Sequence, residues 1–237
     1  MTAGSPSPDH RPSTVFSDAA ASDYDDRVPR LVPGYALAHD LMAATFASLL
    51  PADARLLLAG CGTGNELLRL AAGGPRWRFS ALDPSAGMLA VARRKAQGAG
   101  CESRVAFHAT TLDQMPAGLH DAAVAALVLH FIPDDGGKAA FLSALAQRLR
   151  AGGALVLLDY EPVPLLARAY GQWLQATGLE RTAVDAVLAK TGTQWHPVTD
   201  TRLRALLLES GFEPPRLIFK ALGFQAWLAF RPVEPAA

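Results

Sequence analysis

A short apolar run that ends in three alternate glycines limits the fold of this chain more than any other feature. The run is Arg55–Ala59, and Gly60, Gly62 and Gly64 follow it directly. Three successive leucines suit a strand that is buried on both faces, as in a parallel sheet covered by helices. The glycines let the backbone turn sharply and let a ligand lie against the main chain. This pattern predicts a strand, a ligand-binding turn and then a helix.

Strand and helix patterns alternate five times between Arg55 and Asp159. Each connection is long enough for a crossover, which predicts parallel strands. Two later apolar runs, Arg216–Lys220 and Gln225–Phe230, are separated by few residues and predict an antiparallel pair at the sheet edge. We therefore predict an α/β, doubly wound, Rossmann-like fold. Its sheet has seven strands, is mostly parallel, carries helices on both faces and ends in an antiparallel C-terminal strand.

The predicted domain organisation is a short tail followed by one domain. Residues 1–20 are rich in Pro, Ser, Asp and Ala, which is typical of a flexible tail. Residues 21–237 show no repeat and no linker, so we expect a single domain that begins with a helical segment. Residues of about 160–197 interrupt the strand–helix alternation and form an insertion.

Composition argues against several functions. The chain has 22 Lys and Arg against 22 Asp and Glu, with a formal net charge of zero, and its densest basic run is Arg93–Lys95. Nucleic-acid binding depends on clustered cations, so we expect none. Cys61 and Cys101 form no metal-binding pattern. No apolar run reaches 18 residues and the N-terminus lacks the order of a signal peptide, so we expect a cytoplasmic protein without membrane contact.

An acidic residue follows the second predicted strand. Asp83 lies 19 residues beyond Gly64. At the tip of the adjacent strand it can accept hydrogen bonds from both hydroxyls of a ribose, although it can also cap the helix that begins near Ser85. The glycine spacing departs from G-x-G-x-x-G at Asn65, and no phosphate-binding lysine follows. Together these residues favour a loop that binds a nucleoside with a non-phosphate appendage. The alternative is a glycine-rich turn that binds no ligand.

Three segments, residues 56–71, 81–96 and 120–160, resemble class I S-adenosylmethionine-dependent methyltransferases. Residues 24–28 and 32–35 resemble the N-terminal segment of carboxy-S-adenosylmethionine synthases and related small-molecule enzymes. The resemblance covers about residues 22–231. It implies S-adenosylmethionine as the cofactor, a small-molecule acceptor, and a substrate lid built from the insertion at about 160–197.

The resemblance also implies which residues contact the cofactor, with Asp83 holding the ribose and Thr111 standing where the family usually has an acid for the adenine. The predicted set is Tyr24, Arg27, Tyr35, Gly60, Cys61, Gly62, Asp83, Pro84, Met88, Thr111, Leu112, Leu127 and Phe131.

The chain departs from the family at three positions. Leu58 replaces an acid that usually lies near the methionine amino group of the cofactor. Ala126 replaces the Asn of carboxy-S-adenosylmethionine synthases, and Leu206 replaces the Arg that grips the extra carboxylate in those enzymes. The expectation is that the protein neither makes nor uses the carboxylated cofactor.

Methyl transfer needs alignment of donor and acceptor, and it needs a base only where the acceptor must lose a proton. The catalytic candidates are His130, Asp159 and Tyr170. His130 and Asp159 are candidate bases, as are His196 and, with less support, His120, whereas Tyr170 could stabilise the sulfonium through a cation–π contact. Each also has a purely structural interpretation.

A leucine at position 58 would leave the methionine amino group of the cofactor loosely held. This is compatible with a second hypothesis, cyclisation or lyase chemistry on the aminocarboxypropyl arm that releases methylthioadenosine. A third hypothesis is a cofactor-binding module without catalysis.

Overall fold

The protein was analysed as a computed structural model, which describes residues 18–190 and 193–233. Most of the predicted tail lies outside these residues, but the first helix already begins at Asp18, within the predicted tail. The helices are α1 (Asp18–Leu31), α2 (Tyr35–Leu49), α3 (Asn65–Gly73), α4 (Ala86–Gly98), α5 (Gly137–Gln147), α6 (Ala167–Ala176), α7 (Arg181–Leu188) and α8 (Asp200–Glu209). The strands are β1 (Arg55–Ala59), β2 (Arg78–Leu82), β3 (Val105–His108), β4 (His120–Ala126), β5 (Leu149–Tyr160), β6 (Arg216–Ala221) and β7 (Phe224–Phe230).

The described strands form one sheet in the order β3-β2-β1-β4-β5-β7-β6. The first five pair in parallel, whereas β7 is antiparallel to both β5 and β6. This arrangement confirms the predicted fold class. The strand order reverses between β1 and β4, and ligands of such sheets bind at this point, beyond the carboxyl ends of the strands.

Alternate residues of β1 show how the sheet is buried on both faces. Leu56 and Leu58 pack into a core with α2, α3, α4, α6 and α7, whereas Leu57 and Ala59 pack into a second core with α5 and α8. All three leucines are fully buried. The continuous apolar pattern of β1 therefore has its cause in two helical layers, one on each face.

Candidate functional site

The glycine loop folds back onto the end of the neighbouring strand. The amides of Gly60 and Cys61 both donate to the carbonyl oxygen of Leu82 at 2.9 Å. Gly60, Gly62 and Gly64 have φ values of 78°, 50° and 82°, in the left-handed region that side chains disfavour. A Cβ placed on Gly62 would meet nothing within 4 Å. Open space therefore lies directly above the main chain of this loop.

Asp83 ties the loop to the start of α4. Its Oδ2 accepts the amide hydrogen of Gly62 at 2.9 Å, and its Oδ1 accepts that of Ser85 at 2.9 Å. Ser85 itself caps α4 by accepting from the amide of Met88 at 3.2 Å. Burial raises the pKa of Asp83, and the two backbone hydrogen bonds act in the opposite direction. Since an ionised carboxylate offers about four acceptor positions, two stay available for ligand hydroxyls.

A cavity of about 250 Å³ opens beside the loop and Asp83. The ends of β1, β2 and β4 form its floor, α1 covers it, and the segment after α7 closes one side. The lining residues are Tyr24, Arg27, Val28, Leu31, Val32, Gly60, Gly62, Asp83, Pro84, Met88, Ala126, Leu127, Val128, His130, Phe131, Ile132, Tyr160, Lys190, Trp195 and Phe224. Its mostly apolar wall with a few polar groups is typical of a small-molecule site.

Most residues singled out from the sequence lie together on this wall. The shared set is Tyr24, Arg27, Gly60, Gly62, Asp83, Pro84, Met88, Leu127, Phe131 and His130. Leu127 is held with φ at 57°, and its amide donates to the carbonyl of Leu158 at 2.7 Å. A left-handed leucine is strained, and such strain clusters at functional sites.

Four of the predicted cofactor residues lie behind or away from the wall. Tyr35 accepts a hydrogen bond at 3.0 Å from the side chain of Asn65. Cys61 is buried in the core, where burial raises the pKa of its thiol well above the ordinary value. Leu112 is buried in the second core and Thr111 is exposed.

Tyr170 also lies outside the cavity wall. Its hydroxyl donates to the carbonyl of Leu31 at 2.9 Å, and its ring stacks on Trp173 with centroids 6.4 Å apart. These contacts join α6 to the end of α1, so the structure places Tyr170 in the packing of the insertion against the helical cover.

Side chains from three other elements hold α1 over the glycine loop. Asp25 accepts hydrogen bonds from Thr63 at 2.6 Å and from Asn65 at 2.9 Å, and it pairs with Lys95 at 2.5 Å. Burial acts to raise the pKa of Asp25, but the bonds from Lys95, Thr63 and Asn65 outweigh it and lower the pKa. This network was not predicted from the sequence, where its only signal is the acid within the Tyr24–Val28 segment.

Glu66 is a second residue that the sequence analysis missed. It lies in the first turn of α3, directly after the glycine loop, and is 7% exposed. Burial raises its pKa to about 8, and the neighbouring charge of Asp83 acts in the same direction. An acid two residues beyond the last glycine was the available signal. The helix N-terminus partly offsets the cost of its charge.

His130 and Asp159 form a buried pair at the far end of the cavity. Nδ1 of His130 lies 2.6 Å from Oδ1 of Asp159, and the amide of His130 donates to Oδ2 at 3.0 Å. Because a carboxylate accepts only, Nδ1 carries the proton. Nε2 has no hydrogen-bond partner among the described residues. Such a pair can take a proton from a hydroxyl group that lies in the cavity.

Aromatic rings surround His130. The ring of Trp195 meets it edge-on with centroids 5.2 Å apart, and Phe131 lies at 4.1 Å. Tyr160 contacts Trp195 at 6.0 Å and Phe224 at 5.0 Å. This half of the cavity therefore favours a flat apolar group over a strongly hydrated one.

Comparison with known proteins agrees with this geometry. A family profile described as a methyltransferase domain matches residues 56–153. The segment contains the glycine loop, Asp83 and His130. Over this segment the chain is similar to class I S-adenosylmethionine-dependent methyltransferases. It is thus an S-adenosylmethionine-dependent transferase, and S-adenosylmethionine is its cofactor.

Individual relatives are distant. A carboxy-S-adenosyl-L-methionine synthase from Campylobacter concisus is 28% identical over 222 residues, which cover 91% of this chain and 94% of that protein. Human N-acetylserotonin methyltransferase, solved with S-adenosylmethionine, matches at a TM-score of 0.64 with 18% identity over 92% of this chain and 58% of that one. An O-methyltransferase family 2 protein from Planctomyces limnophilus, solved with apigenin, matches at a TM-score of 0.63 with 18% identity. The match covers 93% of this chain and 63% of that one. At these identities the solved structures show the fold alone.

The residues present fit the cofactor. Asp83 keeps free acceptor positions, and the space above Gly62 admits a ligand against the main chain. Leu58 is fully buried in the core, so the usual strand acid has no charged substitute at that position. Leu206 is fully buried on the inner face of α8, in the second core. Within residues 18–190 and 193–233, no helix is long and apolar enough to cross a membrane.

Proposed function

We propose that this protein transfers a methyl group from S-adenosylmethionine to a hydroxyl group of a small-molecule acceptor. The observation that carries the proposal is the 2.6 Å hydrogen bond between His130 and Asp159 at the wall of the cofactor cavity. A hydroxyl group needs to lose its proton as it is methylated, and a neutral imidazole held by a carboxylate is suited to accept it.

Different residues of the chain bind the cofactor, cover the cavity and accept the proton. When bound, S-adenosylmethionine supplies a methyl group on a positively charged sulfur. Asp83 would hold the ribose hydroxyls, the open space above Gly62 would let the nucleoside lie against the main chain, and α1 covers the cavity. Asp159 fixes the proton on Nδ1 of His130, so that Nε2 accepts the acceptor's proton. Holding donor and acceptor in line can lower the activation barrier by about 7–11 kcal/mol.

Two of the departures from carboxy-S-adenosylmethionine synthases support use of the ordinary cofactor. The position of the arginine that binds the extra carboxylate is occupied by Leu206, which lies on the buried face of α8 and outside the cavity wall. The cavity wall carries Ala126 where those enzymes have Asn. We infer that the chain neither makes nor uses the carboxylated cofactor, although its curated relatives carry that name.

The test is transfer of an isotopically labelled methyl group. The full chain is incubated with methyl-labelled S-adenosylmethionine and a panel of phenols, catechols and matched anilines, and the products are measured by mass spectrometry. We expect labelled methyl ethers together with S-adenosylhomocysteine. His130→Gln should lower the rate at least about 100-fold while the affinity for S-adenosylhomocysteine stays within about twofold.

His120→Gln is the matched control. His120 is buried at the opposite end of β4, where its ring meets Ser80 at 3.0 Å. Equal losses in both variants, or no loss in His130→Gln, would overturn the role of His130. An incubation without acceptor tests the alternative chemistry: release of methylthioadenosine there would favour cyclisation or lyase chemistry over methyl transfer.

A further inference from the structure

Two cations from different elements face the same cavity. Arg27 lies on α1, and Lys190 follows α7. Among the described residues, neither side chain forms an ion pair with a carboxylate. Asp83, the carboxylate on the described part of the wall, is already bound to backbone amides beside the glycine loop. Along the described part of the wall, the cavity therefore presents two cations that no carboxylate pairs with directly.

The two charges are close enough to affect each other. Burial lowers the pKa of Lys190, and the charge of Arg27 lowers it further. Like charges held beside an apolar wall repel more strongly than they would in water. An anion placed between them would be attracted to both and would remove that repulsion.

Trp195 connects these cations to the proposed base. The ammonium nitrogen of Lys190 lies 5.8 Å from the centroid of the Trp195 ring, and the His130 ring lies 5.2 Å from the same centroid. The ammonium group is thus at most about 11 Å from the imidazole, the sum of the two distances. One aromatic acceptor can reach both groups from its two ends.

We propose that Arg27 and Lys190 bind a carboxylate of the acceptor, and that the acceptor is a hydroxylated aromatic acid. The inference rests on the proposed function. The hydroxyl group would lie at His130, the ring would pack against Trp195 and its aromatic neighbours, and the carboxylate would lie between the cations. Arginine suits this role because its planar group binds a carboxylate through two hydrogen bonds.

The methionine carboxylate of the cofactor is the other source of the same chemistry. The family resemblance assigns Arg27 to the cofactor, whereas Lys190 contacts the Trp195 ring, which also meets the ring of His130. The experiment therefore includes ligands that separate the two sources.

The first measurement is calorimetric binding to the full chain saturated with S-adenosylhomocysteine. The probes are 4-hydroxybenzoate, 4-hydroxyphenylacetate and 4-coumarate, each paired with its neutral amide. We expect at least one acid to bind at least about tenfold more tightly than its amide, as a charge-assisted hydrogen bond would give. Arg27→Met and Lys190→Met should each abolish that preference, and Arg27→Lys should restore part of it.

Arg30→Met and Arg181→Met are the matched controls. Arg30 lies one turn further along α1 and Arg181 begins α7; both side chains are exposed, and neither lines the cavity. Both variants should keep the acid preference. Circular dichroism and the unfolding midpoint verify that each variant is folded.

The second measurement compares S-adenosylhomocysteine with methylthioadenosine, which lacks the amino acid arm. If Arg27→Met and Lys190→Met weaken binding only of S-adenosylhomocysteine, the pair holds the cofactor carboxylate and the inference is overturned. An absence of acid preference across the panel overturns it as well. Binding is measured without turnover, so the two proposals can fail separately. Methylation of neutral phenols alone would reject only this inference and leave the proposed function intact. An absence of S-adenosylhomocysteine binding would reject the proposed function itself.

Discussion

Asp159 holds His130 through both of its carboxylate oxygens, one on the imidazole at 2.6 Å and one on the backbone amide at 3.0 Å. Oδ1 also accepts the amide hydrogen of Tyr160 at 2.7 Å. A single side chain thereby joins the segment that follows β4 to the carboxyl end of β5. Both the ring orientation and the proton position of His130 depend on Asp159.

Asp159→Asn is expected to lower kcat about 10²- to 10⁴-fold, because an amide in place of the carboxylate no longer fixes the proton on Nδ1. Affinity for S-adenosylhomocysteine should change little, since Asp159 lies behind the cavity wall. Steady-state kinetics between pH 6 and pH 9, with calorimetry for the cofactor product, make the comparison.

Asp121→Asn serves as the control, because Asp121 lies at the other end of β4 and pairs with Arg150 on the surface. An unchanged kcat in Asp159→Asn, or an equal loss in the control, would show that Asp159 does not position the base.

Much of the fold could be predicted because its causes are local in sequence. The leucines of β1, the glycines after it and Asp83 follow one another with spacing that only a parallel sheet and a strand-to-helix turn satisfy. Strand ends were less predictable. The apolar run Ala122–Leu129 predicts a strand through Leu129, but β4 ends at Ala126 because Leu127 turns into a left-handed conformation. The residue types at positions 126–128, which are Ala, Leu and Val, do not indicate that turn.

The site was predicted where one motif supplies it and missed where separate elements meet. Gly60, Gly62 and Asp83 come from adjacent motifs and share one wall. His130 follows β4 and Asp159 lies near the end of β5, 29 positions further along the chain, so the sequence could offer both residues only as separate candidates. The link from Asp25 to Lys95 depends on how α1 lies across α4, which no single motif reports.

Asp25→Asn is expected to loosen α1 from the glycine loop, because it removes the charge that pairs with Lys95 and weakens the bonds from Thr63 and Asn65. Amide hydrogen exchange in α1 should become at least about tenfold faster, which corresponds to about 1.4 kcal/mol of local stability. Cofactor affinity should fall with it, since α1 carries Tyr24 over the cavity.

Asp26→Asn is the matched control on the same helix, because its side chain is exposed. Exchange rates measured by mass spectrometry should separate the two variants. Equal protection of α1 in Asp25→Asn and in the unmodified protein would refute the role assigned to this network.

Glu66→Gln is expected to change how stability depends on pH. Burial raises the pKa of Glu66 to about 8 from an ordinary value of 4.5. Between these values the folded state keeps the proton and the unfolded state loses it, so Glu66 makes folding less stable as pH rises through this window. Glutamine stays neutral. The free energy of unfolding of the variant should match that of the unmodified protein near pH 4.5. Near pH 8 it should be larger by a few kcal/mol, since each pKa unit is worth about 1.4 kcal/mol.

Urea unfolding at several pH values measures this difference, and Glu213→Gln, an exposed change, is the control. Asp83 also has a raised pKa, but it is present in both proteins and cancels in the comparison. A stability difference that does not grow with pH would contradict the assignment.

Gly60→Ala and Gly62→Ala separate the structural and the ligand-binding roles of the loop. A Cβ on Gly60 would lie 2.5 Å from Cγ2 of Val128 at a φ of 78°, so strain and overpacking should cost about 2–4 kcal/mol. A Cβ on Gly62 would meet no protein atom within 4 Å, so only the left-handed conformation is penalised, by about 1 kcal/mol. That Cβ would instead enter the cavity, and affinity for S-adenosylhomocysteine should fall at least about tenfold. Urea unfolding and calorimetry on both variants test the two costs separately; a Gly62→Ala protein that binds as tightly as the unmodified chain would show that the cofactor does not lie against this main chain.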